Sequence, residues 1–240
     1  MPEAGCISSR QSSDRPASWR CLTVLGLVSF VFLLLAGPVE SGCILAGPGC
    51  NWGVVWKNSY TSSGILYDSA TGVAVDTEGN AWVVGQVEGN KWAIKKYSPA
   101  GTLIWFETLA TYYAAKSVAI DSQGNVVVVG RTSPPSKWVI RKYGSTGTLI
   151  KEVFYQGPQN GDDYATGVAI DKNDNIIVCG REQYEANKME WVVRKYDSNL
   201  SIIWSRTYNI NNIWDTPYGV TVDSVGNIFV VGDVESKSGF

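Results

Sequence analysis

The sequence predicts an all-β chain assembled from repeated hairpins, and three observations predict it. A fourteen-residue motif occurs four times, as GVAVDTEGNAWVVG (residues 72–85), SVAIDSQGNVVVVG (117–130), GVAIDKNDNIIVCG (167–180) and GVTVDSVGNIFVVG (219–232). Each copy is an apolar run, an Asp, a short turn, an Asn (or Asp-Asn) and a second apolar run closed by Gly, which is the pattern of a tight β-hairpin. After each of the first three copies come two further strand-like runs in a fixed order, and there is no convincing helix after residue 36.

Taken in order, residues 1–21 are polar and carry Arg10, Arg15 and Arg20, and LTVLGLVSFVFLLLA (22–36) is an uncharged, mostly apolar run. It is short for a membrane span, which needs about 20 residues, and suits the apolar region of a signal peptide behind a basic leader. GPVESGC follows, ending at Cys43. Ser41, Gly42 and Cys43 resemble a lipoprotein processing site, whereas Glu40 departs from that pattern. Three outcomes stay open: lipidation at Cys43, ordinary cleavage near residues 41–46, or retention as a membrane anchor. Without lipidation, Cys43 and Cys50 are free to pair in an oxidising compartment. The expected organisation is a signal or anchor at 1–43, a linker at 44–51 and a repeat domain at 52–240.

Within the repeat domain the hairpin Asp recurs as Asp76, Asp121, Asp171 and Asp223, spaced 45, 50 and 52 residues apart. A third run follows as KWAIKKY (91–97), KWVIRKY (137–143) and EWVVRKY (190–196). Then come a tight turn (SPAG, GSTG or DSNL) and a fourth run, TLIWFETL (102–109), TLIKEVFY (148–155) and SIIWSRTY (201–208). Four hairpin-connected strands per repeat is the pattern of a β-propeller blade. Runs such as VVVV (126–129) are apolar on both faces because each blade is covered by neighbours on both sides. Three blades are complete; the last copy stops after two strands. The opening segment NWGVVWKNSY (51–60) reads as an isolated fourth strand, through Trp56 against Trp105 and Trp204. The expectation is a fragment of a larger propeller whose gene continues for two to four further copies.

In register with the K-Y and L-I-W elements, the hairpin motif resembles the bacterial SBBP-type β-propeller repeat over residues 52–232. The resemblance implies a propeller in an exported or surface protein, and implies no catalytic residue.

Composition narrows the chemistry. The chain carries 20 basic and 22 acidic residues and no histidine. A net charge of −2 indicates neither nucleic-acid binding nor a polybasic membrane patch. The absence of histidine removes His-based triads, the usual His metal sites and the usual neutral-pH general base. There is no CxxC pair, P-loop, GxSxG or HExxH, and no cofactor is expected. Cys179 replaces the Val of the other copies and is expected to be a buried thiol.

Four candidate features remain. The hairpin Asp either closes its own turn or ligates a metal; Asp171, Asn173, Asn175 and Glu182 fit part of a calcium-loop template, but Ile176 stands where Gly is required, so turn closure is the expectation. Trp92, Trp138 and Trp191 either wedge between blades or stack on sugars. Of the paired bases Lys95/Lys96, Arg141/Lys142 and Arg194/Lys195, one of each must lie between blades or at an edge. Asp68, Asp163 and Asp215 precede the first strand of a blade, with Tyr113 in their place in the second copy. Together with Asp162 they form either an acidic ligand-binding rim or a set of loop-ordering carboxylates.

The expected function is an exported, non-enzymatic scaffold presenting loops to an unknown protein or glycan at the cell envelope. The rivals are a carbohydrate-active or other hydrolytic enzyme using the acidic rim, and a purely structural spacer.

Overall fold

Each motif copy folds as the hairpin its turn residues dictate. The Asp main chain closes the turn at both ends: Asp76 N–H donates to Asn80 O at 3.0 Å, and Gly79 N–H donates to Asp76 O at 2.9 Å. The residue before Asn takes the left-handed conformation in every copy, as Gly79 (φ 82°), Gly124 (79°), Asp174 (60°) and Gly226 (98°). Asp174 is tolerated there because Asp adopts this conformation more readily than most residues, and its carboxylate accepts from Ser122 N–H (2.9 Å) and Oγ (2.6 Å) on the adjacent turn.

The computed structural model describes residues 21–24, 32–35, 54–59, 68–209 and 214–234. In the N-terminal segment, short strands β1 (Cys21–Val24) and β2 (Phe32–Leu35) pair with each other, and β2 pairs with β3 (Val54–Asn58). Cys43, Cys50 and the 44–51 linker lie outside the described residues, as does any processing site there.

Three four-stranded antiparallel sheets follow. Blade 1 is β4 (Ser69–Val75), β5 (Ala81–Val87), β6 (Lys91–Tyr97) and β7 (Leu103–Leu109). Blade 2 is β8 (Tyr112–Ile120), β9 (Val126–Thr132), β10 (Trp138–Tyr143) and β11 (Leu149–Tyr155). Blade 3 is β12 (Tyr164–Ile170), β13 (Ile176–Glu185), β14 (Lys188–Tyr196) and β15 (Ile202–Tyr208). A fourth sheet holds two described strands, β16 (Asp215–Val222) and β17 (Ile228–Val234). No helix occurs among the described residues.

The core lies between the blades. Blade 1 meets blade 2 through Trp82, Val84, Trp92 and Ile94 against Val126, Val128, Val139 and Tyr143. The same positions recur between blades 2 and 3, and a smaller cluster of Ile177, Cys179 and Val193 faces Val220, Ile228 and Val230. Alternate residues of one strand thus serve opposite interfaces, which is why both faces are apolar.

The interfaces repeat the same hydrogen bonds. The wedge Trp92 donates from Nε1 to Arg131 O (3.0 Å), Trp138 to Arg181 O (2.9 Å) and Trp191 to Asp233 O (3.2 Å). Its ring lies against the closing glycine of the next blade. A Cβ at Gly130 would come 2.7 Å from Trp92, and one at Gly180 would come 2.7 Å from Trp138. Residues skipped by a bulge in the first strand also reach across: Thr71 Oγ1 donates to Ala115 O (2.7 Å) and Thr166 Oγ1 to Pro217 O (2.6 Å). The second base of the first two pairs reaches between blades. Lys96 donates to Ser145 O (2.9 Å) and Lys142 to Ser198 O (2.8 Å).

The third-to-fourth-strand turn carries a paired choice of residues. Trp56 sits on Gly101, and Trp105 sits on Gly147; both glycines have positive φ, and a side chain on either would overlap the indole. Where Lys151 replaces the Trp, Leu200 replaces the Gly, takes φ 58° and is buried in the core. Trp56, on β3, therefore stands to blade 1 as the outer strand of blade 1 stands to blade 2.

Candidate functional site at the first-strand end

Antiparallel order places the start of the first strand, the second hairpin turn and the end of the fourth strand at one end of each blade. The candidate carboxylates lie here and divide into two kinds. Asp68, Asp163 and Asp215 are buried. Asp68 Oδ1 accepts from Glu88 N–H at 2.9 Å. Asp163 accepts from Gln183 N–H (2.8 Å) and Gly157 N–H (2.6 Å), and from Gln156 Nε2 (3.1 Å). Burial raises the Asp163 carboxyl above its ordinary range even against these donors. Asp68 and Asp163 thus tie the loops between strands.

Asp162, one residue earlier, is 44% exposed at its side chain and joins two arginines. Its carboxylate lies 3.4 Å from Arg131 Nη1 and 3.7 Å from Arg181 Nη2. Both arginines follow a closing glycine, so the wedge Trp of the preceding blade fixes their main chain. Their guanidinium groups interleave with aromatic rings. Arg131 lies 4.1 Å from the Tyr113 ring and 4.9 Å from Tyr164; Arg181 lies 4.2 Å from Tyr164 and 5.2 Å from Trp214. The result is a ladder, Tyr113–Arg131–Tyr164–Arg181–Trp214, drawn from blades 2 and 3 and the segment leading into β16. Burial, with a smaller contribution from Arg131, lowers the Arg181 pKa below its ordinary value against the opposing effect of Tyr164 and Asp162. Beside the ladder a recess of about 450 Å³ is lined by Tyr113, Arg131, Pro134, Pro135, Ser136, Asn160, Gly161 and Asp162. Two cations against one carboxylate make this surface basic and aromatic rather than acidic.

Arg131 and Arg181 were not among the residues singled out in the sequence. The available signal was that Arg follows the closing glycine in two copies, where Gln86 and Asp233 stand in the others.

The remaining features find structural places. Asp171 accepts from Asn173 N–H (2.9 Å) and Asn175 N–H (3.0 Å), and the Lys195 ammonium lies 2.8 Å from its other oxygen. An ammonium thus holds the place a metal cation would take. Burial alone would raise this carboxyl, but Lys195 and Asn175 hold it at about 2. Glu182 is buried and accepts from the Tyr155 hydroxyl. Among the described residues no group of three or more Cys, Asp or Glu is placed to hold a metal ion. Cys179 is buried, and burial pushes its thiol up to about 11. Trp92 and Trp138 are fully buried, as wedges require.

Comparison with known proteins agrees with this architecture. A solved structure of a protein of unknown function from Bacteroides caccae superposes with a TM-score of 0.52 at 14% identity, covering 83% of this chain and 60% of that one. The WD40 domain of Neurospora crassa Pan2 superposes at 0.48, with 11% identity over 69% and 44% of the two chains. A gluconolactonase from Xanthomonas campestris superposes at 0.46, with 12% identity over 67% and 55%. The chain spans less than two thirds of each of these structures, and the likeness is one of fold. No curated protein matches. Residues 203–233, from the fourth strand of blade 3 through β17, match the SBBP β-propeller repeat family. With four copies of one hairpin and sheets of four antiparallel strands, the chain is a β-propeller repeat protein whose residues 203–233 are similar to the SBBP repeat.

Proposed function

We propose that this chain is a non-enzymatic, exported propeller scaffold that binds a partner at the cell envelope through the loops at its first-strand end. The observation that carries the reading is Asp162, half-exposed and at 3.4 and 3.7 Å from two ring-stacked guanidinium groups. Contacts of that length are replaceable: a ligand carboxylate entering the recess exchanges for Asp162 and gains shorter, charge-assisted bonds. Trp214, 43% exposed at one end of the ladder, offers an apolar ring face. A carboxylate-bearing glycan fits this combination best, and an acidic protein segment is the competing ligand. The leader and its basic flank support export, with membrane attachment through the N-terminal segment.

A glycan array probed with the wild-type chain and with an Arg131→Ala/Arg181→Ala variant tests the reading. Binding of acidic glycans that disappears in the variant, with the ligand recovered unaltered, is expected. Binding unaffected by the variant rejects the site, and turnover of the bound glycan rejects the non-enzymatic role. Fractionation of tagged chain with the cytosol would reject export.

A further inference from the structure

Between blade 3 and β17 lies an open groove of about 550 Å³, lined by Trp191, Val193, Trp204, Arg206, Tyr208, Ile228 and Val230. Among the described residues, strand β17 pairs only with β16. In the complete blades this place is filled by the third and fourth strands. Val139 and Tyr143 fill it between blades 1 and 2, and Val192, Tyr196 and Leu200 fill it between blades 2 and 3.

We infer that this groove is a docking site for one hairpin of the SBBP repeat itself, and that it accepts only hairpins with glycine at the left-handed turn position. Two unfilled positions, at Asp223 and Lys195, define the occupant. Asp223 closes its turn as its counterparts do, accepting from Val225 and Asn227 N–H, yet each counterpart also holds a third-strand lysine. Those pairs are Asp76–Lys96 (3.3 Å), Asp121–Lys142 (2.7 Å) and Asp171–Lys195 (2.8 Å). Lys96 and Lys142 also donate to a carbonyl of the next third-to-fourth-strand turn, so Lys195 specifies such a turn in the occupant.

Trp204 sets the selectivity. Its counterparts Trp56 and Trp105 each lie on a turn glycine, and leucine occurs only where Lys151 has replaced the Trp. A hairpin with W-x-[IV]-[KR]-K-Y followed by a Gly turn satisfies all of these positions. One with a Leu turn drives its side chain into the Trp204 ring. Continuity with the interfaces between blades 1, 2 and 3, and the charge match at Asp223, identify the occupant as this repeat rather than a generic apolar strand.

The experiment uses the full chain and two synthetic peptides, residues 91–109 with the Gly101 turn and residues 188–208 with the Leu200 turn. Calorimetry or fluorescence should find the first binding about tenfold or more tightly than the second, and than its own G101L form. Asp223→Asn should weaken the first peptide by about tenfold, as loss of one charge-assisted bond requires. Trp204→Ala should remove the penalty on the G101L peptide. The peptide-side comparison leaves the protein unchanged, so a misfolded variant cannot produce it. Equal binding of the Gly and Leu peptides, or of a scrambled control, overturns the inference. So does concentration-dependent dimerisation that the Gly peptide fails to displace, because it makes a second copy the occupant.

Discussion

Replacing Trp138 by alanine tests the inter-blade core and carries its own control. Trp138 is fully buried, meets Tyr155 edge-on at 5.3 Å and donates to Arg181 O at 2.9 Å. Trp→Ala in a core costs about 3–5 kcal/mol. Within that, the indole hydrogen bond contributes about 1 kcal/mol and the edge contact about 0.5–1.5 kcal/mol; burial and the residual cavity supply the rest. Trp191 occupies the same repeat position and makes the same type of bond, at 3.2 Å, but its ring borders the open groove. With only part of the ring covered, Trp191→Ala should cost about 1–2 kcal/mol, since the stabilisation scales with the apolar area removed from water. In urea denaturation, a loss of about 4 kcal/mol at a slope of about 2–3 kcal/mol/M moves the midpoint down by about 1.5–2 M. Equal losses for the two variants, or a Trp138→Ala loss below about 1 kcal/mol, would refute the wedge reading.

Two further predictions concern particular contacts. Gly147→Leu should destabilise the chain by about 2–4 kcal/mol, because the new side chain meets Trp105. Adding Trp105→Lys should recover part of that, reproducing the Lys151/Leu200 pair; strictly additive losses in a double-mutant cycle would contradict it. Glu190 faces Glu182 in register across β13 and β14, and burial, followed by its hydrogen bond and charge contact with Glu182, raises it to about 7 from 4.5. The folded state therefore keeps a proton that the unfolded chain releases, and this contribution to stability declines as pH rises from about 4.5 to 7. Asp171, held at about 2, acts oppositely: its contribution is present above 3.8 and is lost as pH falls towards 2. Glu190→Gln should flatten the urea midpoint between pH 4.5 and 7.5, and an unchanged slope in that variant would remove Glu190 as its source.

Much of the fold was legible because the chain states its local rules four times. A turn that needs Asp, Gly and Asn, and a strand covered on both faces, leave a signature that repetition lifts above noise. The outer-strand character of Trp56 was legible for the same reason. The site was less so. Asp162 and Asp163 are adjacent and chemically identical, yet one order of chain reversal buries Asp163 on two main-chain donors and leaves Asp162 between two arginines. Asp162 lies between Arg131 and Arg181, which come from strand ends that only the assembled sheets bring together. No spacing along the chain encodes the interleaving of Tyr113, Tyr164 and Trp214 with them.

The recurring bonds between blades run in one direction. Trp92, Lys96 and Thr71 donate from side chains of blade 1, and the acceptors in blade 2 are main-chain carbonyls. Trp138 and Lys142 repeat this towards blade 3, and Thr166 and Trp191 towards the last sheet. A carbonyl is present whatever residue carries it. These bonds therefore make no demand on the identity of the successor's residues, which is set instead by small residues where the wedge and the turn ring press and by pairs such as Glu107–Arg141 and Tyr155–Glu182. As far as these bonds go, whole repeats can be duplicated or exchanged without the simultaneous change of two partners, whereas the Trp–Gly and Lys–Leu pairs at the turns must change together. The chain also has a polarity, so that a copy inserted in the ordinary chain direction finds its bonds already specified.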